Sequence, residues 1–155
     1  MTDDSSAILL VEDEPLIRLF LADLLEEAGF RVFEAAHATE ALTILRSGLR
    51  VDVLLTDVDM PSGPDGYALS RTVNELWPET EILVMSGRRW PGDGDLPPGA
   101  AFLAKPCPNE AIVLHVQSAA GRAQATVVGR PSSSWTSDLT GTVVPFPKTA
   151  CPKTA

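Results

Sequence analysis

Five short runs of branched apolar residues, four of them trailed by stretches with a helical period, constrain this chain more than any other feature. Strands are predicted over residues 7–11, 31–35, 52–56, 81–85 and 101–104, and helices over 15–28, 38–47, 65–77 and 108–119. Alternation of this kind builds βαβ units, and βαβ units build a parallel sheet with helices on both faces. The chain has 155 residues, enough for one ordinary domain and an extension.

Local signals punctuate the pattern. The first helix opens with Pro15 in its first turn, keeps Leu16, Phe20, Leu24 and Ala28 on one stripe, and stops at Gly29. The third opens near Asp65-Gly66, carries Leu69, Val73 and Leu76 inward, and is ended by Pro78. Between the fourth and fifth strands a helix is due, but residues 90–99 hold too many glycines and prolines for more than one turn. Residues 1–6 read as a flexible N-terminus, 7–120 as the domain, and 121–155, rich in Ser, Thr, Gly and Pro, as a largely disordered tail.

Charge narrows the partners. The net charge is −9, and 20 of the 21 acids but only 8 of the 12 bases fall in residues 1–120. Such an acidic body argues against binding a phosphate backbone, so no nucleic-acid partner is expected. Cys107 and Cys151 match no metal or disulfide spacing, which suits a reducing compartment. Residues 1–6 lack a secretory pattern and no apolar run approaches ~18 residues, so a cytoplasmic protein without a membrane segment is expected.

The chemistry lies where the strands end. Ile8 to Val11 runs into Glu12-Asp13, Val53 to Thr56 into Asp57, Ile82 to Met85 into Ser86, and Phe102 to Ala104 into Lys105. In a doubly wound sheet those ends share one edge, and the first and third strands are neighbours. Three crowded carboxylates repel, and Mg²⁺ relieves them because it takes a few oxygen ligands and keeps a position for a substrate phosphate. Ser86 supplies a hydroxyl donor and Lys105 a cation, as an incoming phosphoryl group requires. An aspartate is a competent nucleophile for that group, so Asp57 can be both ligand and acceptor.

Residues 7–119 resemble the receiver domains of bacterial two-component response regulators. The likeness rests on Val11-Glu12-Asp13-Glu14-Pro15, on Thr56-Asp57-Val58-Asp59-Met60-Pro61 with Asp65-Gly66 after it, on Met85-Ser86-Gly87, and on Phe102-Leu103-Ala104-Lys105-Pro106. It implies a flavodoxin-like (βα)5 fold, an α/β doubly wound five-stranded sheet, here with the fourth helix shortened or replaced by a Gly/Pro-rich loop. It implies that Asp57 accepts a phosphoryl group from a sensor histidine kinase or phosphotransfer protein. Glu12, Asp13, Asp57 and the backbone carbonyl of Asp59 would hold Mg²⁺. Ser86 and Lys105 would contact the phosphoryl group, and Phe102 falls at an aromatic switch position. The implied role is a signalling phosphoacceptor and not an enzyme beyond self-catalysed phosphotransfer and autodephosphorylation. Its output would be a downstream protein target, because 121–155 is too short for an output domain. The first helix, near Leu16, Ile17 and Phe20, is where kinase specificity would lie.

Other readings stand beside this one. Asp57-Val58-Asp59 imitates the Asp-x-Asp motif of haloacid-dehalogenase-like phosphatases, although the acidic pair there follows the nucleophile. A receiver-like scaffold that binds without phosphorylation is the third class, favoured by the eroded stretch 90–99. Asp59 and Arg88, each two positions past a site residue, are candidates to pair above the site and limit water. His37 and His115 read as surface or helix residues, and Trp90 and Trp135 as packing groups or partner anchors.

Overall fold

The computed structural model describes residues 5–61 and 63–129. The expectations for residues 1–4, for Trp135, for Cys151 and for the tail from 130 onward lie outside the described residues. Five strands form one parallel sheet: β1 (Ala7–Val11), β2 (Arg31–Ala35), β3 (Val53–Asp57), β4 (Glu81–Ser86) and β5 (Ala101–Ala104). Their order is β2-β1-β3-β4-β5, the flavodoxin-like order with a reversal after β1. Four helices connect or follow them: α1 (Pro15–Glu27), α2 (Ala38–Arg46), α3 (Gly66–Leu76) and α4 (Asn109–Gly129). Between β4 and β5 only turns and bends occur, so the Gly/Pro-rich loop has replaced a helix.

Alternate strand residues serve opposite cores, as the pleat requires. Ile8, Leu10, Val53, Leu55, Leu83 and Met85 pack under α1 and α4. Leu9, Val11, Leu54, Ile82, Val84 and Phe102 pack under α2 and α3. Covered on both faces, β1 and β3 are buried throughout, which explains their near-continuous apolar runs.

Two expected stripes are corrected. In α1 the buried residues are Leu21, Ala22 and Leu25, whereas Leu16 is 76% and Phe20 51% exposed. The helix is apolar on almost every side, so periodicity admits several stripes, and contact with the sheet selects the one beginning at Leu21. In α3 Leu69 and Val73 face inward, but Leu76, its last residue, is exposed.

The last helix also departs from expectation. It extends to Gly129, beyond the expected end at 119 and into the expected tail. Ala119, Ala120 and Ala123 are buried against the sheet, and Arg122 donates to Glu81 Oε1 at 3.0 Å. Alanine's helix propensity and this burial outweigh the cost of Gly121 within the helix.

Candidate active site at the carboxyl edge of the sheet

Because all strands are parallel, their carboxyl ends bring Glu12, Asp13, Asp57, Ser86 and Lys105 to one edge. Asp57 is the final residue of β3, paired in register with Met85 and only 6% exposed. Glu12 follows β1 directly, is tied by its backbone N–H to Ala35 O at 3.1 Å, and is 3% exposed. Ligand oxygens of Glu12, Asp13 and Asp57 all lie within 4.8 Å of one another.

The cluster is electrostatically strained. Burial is the main force raising the Glu12 carboxyl from 4.5 to about 6; the Glu14 N–H opposes it and the charge of Asp57 adds to it. Burial also raises Asp57, against the pull of Lys105. Lys105 Nζ lies 2.9 Å from Asp57 Oδ1 and 4.0 Å from Glu12 Oε1. One ammonium among three acids leaves an excess of negative charge that a divalent cation would match. Glu12 Oε2 accepts the Glu14 N–H at 3.1 Å, but Glu12 Oε1 has no hydrogen-bond partner, alone among buried side-chain polar atoms of the described residues. An unsatisfied buried carboxylate oxygen facing two other acids is what an oxygen-coordinated metal such as Mg²⁺ would satisfy.

Gly66 lets α3 approach Asp57. A Cβ there would collide with the backbone of Asp57 and Val58, and Gly66 N–H donates to Val58 O at 3.0 Å. Asp65 caps α3 by accepting the Ala68 N–H at 2.9 Å. The sequence marked Asp65-Gly66 as a motif; the close approach is its physical reason.

Ser86 ends β4 and is fully buried. Its carbonyl accepts the Lys105 N–H at 3.0 Å, and its Oγ accepts the N–H groups of Arg88 at 3.2 Å and Arg89 at 3.0 Å. Asp59 lies outside the carboxylate cluster. Its side chain pairs with Arg89 at 3.6 Å, so the expected Asp59–Arg88 pair is corrected to Asp59–Arg89. Folding of the chain back over Ser86 Oγ turns the second arginine, not the first, toward the acids.

Arg89 is the residue sequence reasoning missed. Its guanidinium also meets Asp65 Oδ2 at 2.8 Å and lies 5.9 Å from the Tyr67 ring centroid, while Tyr67 OH donates to its carbonyl. Phe102 is buried, and its ring centroid is 5.1 Å from that of Trp90. His37 caps α2 by accepting the Glu40 N–H, and His115 is a half-buried residue of α4.

Comparison with known proteins agrees with the geometry. Residues 8–117 match the family model described as the response regulator receiver domain. The sensor kinase CckA of Brucella abortus is 36% identical over 110 residues, covering 66% of this chain and 11% of that protein. The phyllosphere-induced regulator PhyR of Methylorubrum extorquens is 33% identical over 108 residues, covering 67% of this chain and 39% of that one. The chain thus spans well under half the length of these curated relatives. A response regulator receiver protein from Sinorhizobium medicae superposes with a TM-score of 0.72 at 26% identity, covering 79% of this chain and 99% of that one. The receiver domain of the hybrid histidine kinase CckA gives 0.64 at 32% identity, covering 74% and 99%. With a family model matched from β1 into α4 over an edge built of acids, serine and lysine, this chain belongs to the response regulator receiver domain family.

Proposed function

We propose that this chain takes a phosphoryl group onto Asp57 from a phosphohistidine on a sensor histidine kinase or phosphotransfer protein, and passes the signal on through a downstream protein target. The observation that carries the reading is the convergence of Glu12, Asp13 and Asp57 within 4.8 Å, with Lys105 at 2.9 Å from Asp57. An Asp57 carboxylate oxygen attacks phosphorus, the new O–P bond forms as the donor's N–P bond breaks, and the electron pair stays on the departing imidazole nitrogen, which takes up a proton. Lys105 and the Ser86 hydroxyl bind the transferring oxygens and stabilise their charge. Glu12, Asp13, Asp57 and the backbone carbonyl of Asp59 would hold Mg²⁺, which when bound neutralises the acids and the phosphoryl oxygens. Burial around Asp57 keeps bulk water from the acyl phosphate.

The role is that of a phosphoacceptor and not of a turnover enzyme. A haloacid-dehalogenase-like reaction would use the second acid, Asp59, as a proton donor, but its carboxylate is engaged by Arg89. A phosphorylation-independent scaffold would have no use for the unsatisfied Glu12 Oε1 beside the other acids. No helix among the described residues is long and apolar enough to cross a membrane. A cytoplasmic setting is part of the proposal and suits Cys107, a free thiol.

Incubation with acetyl phosphate and Mg²⁺, followed by intact-protein mass spectrometry, tests the reading. One added phosphoryl group on the wild type and none on Asp57→Ala is the expected result. An unchanged wild-type mass would overturn it.

A further inference from the structure

Ser86 Oγ is fully buried and accepts two backbone N–H groups, from Arg88 at 3.2 Å and Arg89 at 3.0 Å. A hydroxyl oxygen has two acceptor lone pairs and one hydrogen to donate. With both lone pairs engaged by one short turn, only the O–H direction is left, and among the described residues that hydrogen has no acceptor. A buried hydroxyl oriented in this way is a donor waiting for a ligand oxygen. Ser86 immediately follows Met85, the register partner of Asp57, and its carbonyl holds the backbone of Lys105. The ligand oxygen it awaits is therefore one on the group carried by Asp57.

The turn that orients Ser86 is itself fastened at one residue. Arg89 is gripped through its carbonyl by Tyr67 OH and through its guanidinium by Asp65 at 2.8 Å and Asp59 at 3.6 Å, above the Tyr67 ring. These partners belong to α3 and to the segment after β3, and Gly66 at the start of α3 lies against the backbone of Asp57. No helix follows β4 to hold the Arg88 and Arg89 amides in place. The side chain of Arg89 does what the first turn of a helix would do.

We propose that Arg89 is a positioning residue for phosphoryl transfer: its clamp on Asp59, Asp65 and Tyr67 fixes the turn whose amides aim the Ser86 hydroxyl at the phosphoryl group. It acts through Ser86 and need not touch the substrate. This rests on the phosphoacceptor reading of Asp57.

A double-mutant cycle on the whole chain separates positioning from general structural support. The rate of Asp57 phosphorylation by acetyl phosphate with Mg²⁺ is measured by mass spectrometry for the wild type, Arg89→Ala, Ser86→Ala and the double variant. Arg89→Ala is expected to slow the wild type by about tenfold, as for coupled members of one hydrogen-bond network. In the Ser86→Ala background the same change is expected to alter the rate less than about twofold, because the hydroxyl it aims is gone. Tyr67→Phe removes the other anchor while leaving the guanidinium in place, and is expected to show the same dependence on Ser86. An equal slowing by Arg89→Ala with and without the Ser86 hydroxyl would overturn the proposal. So would an undiminished rate in both Arg89→Ala and Tyr67→Phe. Failure of the wild type itself to gain a phosphoryl group would overturn the phosphoacceptor reading, and the inference with it.

Discussion

Glu12→Gln should stabilise the metal-free protein, although it removes a residue expected to bind metal. Folding buries the Glu12 carboxylate to 3% exposure with one oxygen unsatisfied, and its titration rises from 4.5 to about 6. The native state therefore holds this proton more tightly than the unfolded chain. The contribution of Glu12 to wild-type stability then falls as pH rises from 4.5 through about 6, and the penalty is complete above that window. Its full size is about 2 kcal/mol, from about 1.4 kcal/mol per tenfold change in proton affinity. Glutamine keeps an oxygen for the Glu14 N–H and carries no charge, so it avoids the penalty at every pH. Urea unfolding in EDTA at pH 8 should show a midpoint about 1 M higher for the variant, given a slope of roughly 2 kcal/mol/M. At pH 5 the advantage should fall below about 1 kcal/mol. Equal stability at pH 8, or an advantage that does not change with pH, would refute the reasoning.

Further expectations follow from single contacts. Gly66→Ala drives a Cβ into the Asp57 and Val58 backbone, and thermal or urea unfolding should register a loss of about 3 kcal/mol. Asp52→Ala deprives the buried Ala7 N–H of its 2.8 Å acceptor and the exposed Arg50 of its partner, and should cost about 2 kcal/mol in the same assay. Mg²⁺ at ten times its Kd should stabilise the wild type by about 1.4 kcal/mol over an EDTA reference, and differential scanning calorimetry should find most of that gain lost in Asp13→Asn.

Strand ends were legible because a parallel sheet buries its strands on both faces, so the first polar residue after an apolar run marks the edge. Asp57 and Ser86 close β3 and β4, each one residue further along than the expected strand ends at 56 and 85. The stripe of α1 was not legible, because Leu16, Ile17, Leu19 and Phe20 are as apolar as the residues that face the sheet. These four remain exposed. The composition of residues 121–155 read as a tail, yet alanines on the buried side carry α4 past Gly121. The choice between Arg88 and Arg89 depends on the turn over Ser86 Oγ, a geometry that two identical residue types in succession cannot announce.

Loss of the helix between β4 and β5 changes how the site is held together. A helix fastens its first turn by repeated backbone bonds along its own length, so the residues after β4 would be ordered without help from the segment after Asp57. Here the turn depends on Asp59, Asp65 and Tyr67, all within ten residues of Asp57 along the chain. Trp90, half-exposed, continues the same turn onto the buried ring of Phe102. The residues that follow Asp57 and the residues that shape the loop are consequently one connected set. Any rearrangement of Ser86 on phosphorylation must be felt first by the Arg89 and Trp90 segment, before it reaches the rest of residues 91–99. A loop rich in glycine and proline, unable to carry a helix, is in this chain joined through Ser86 and Arg89 to the segments that flank Asp57.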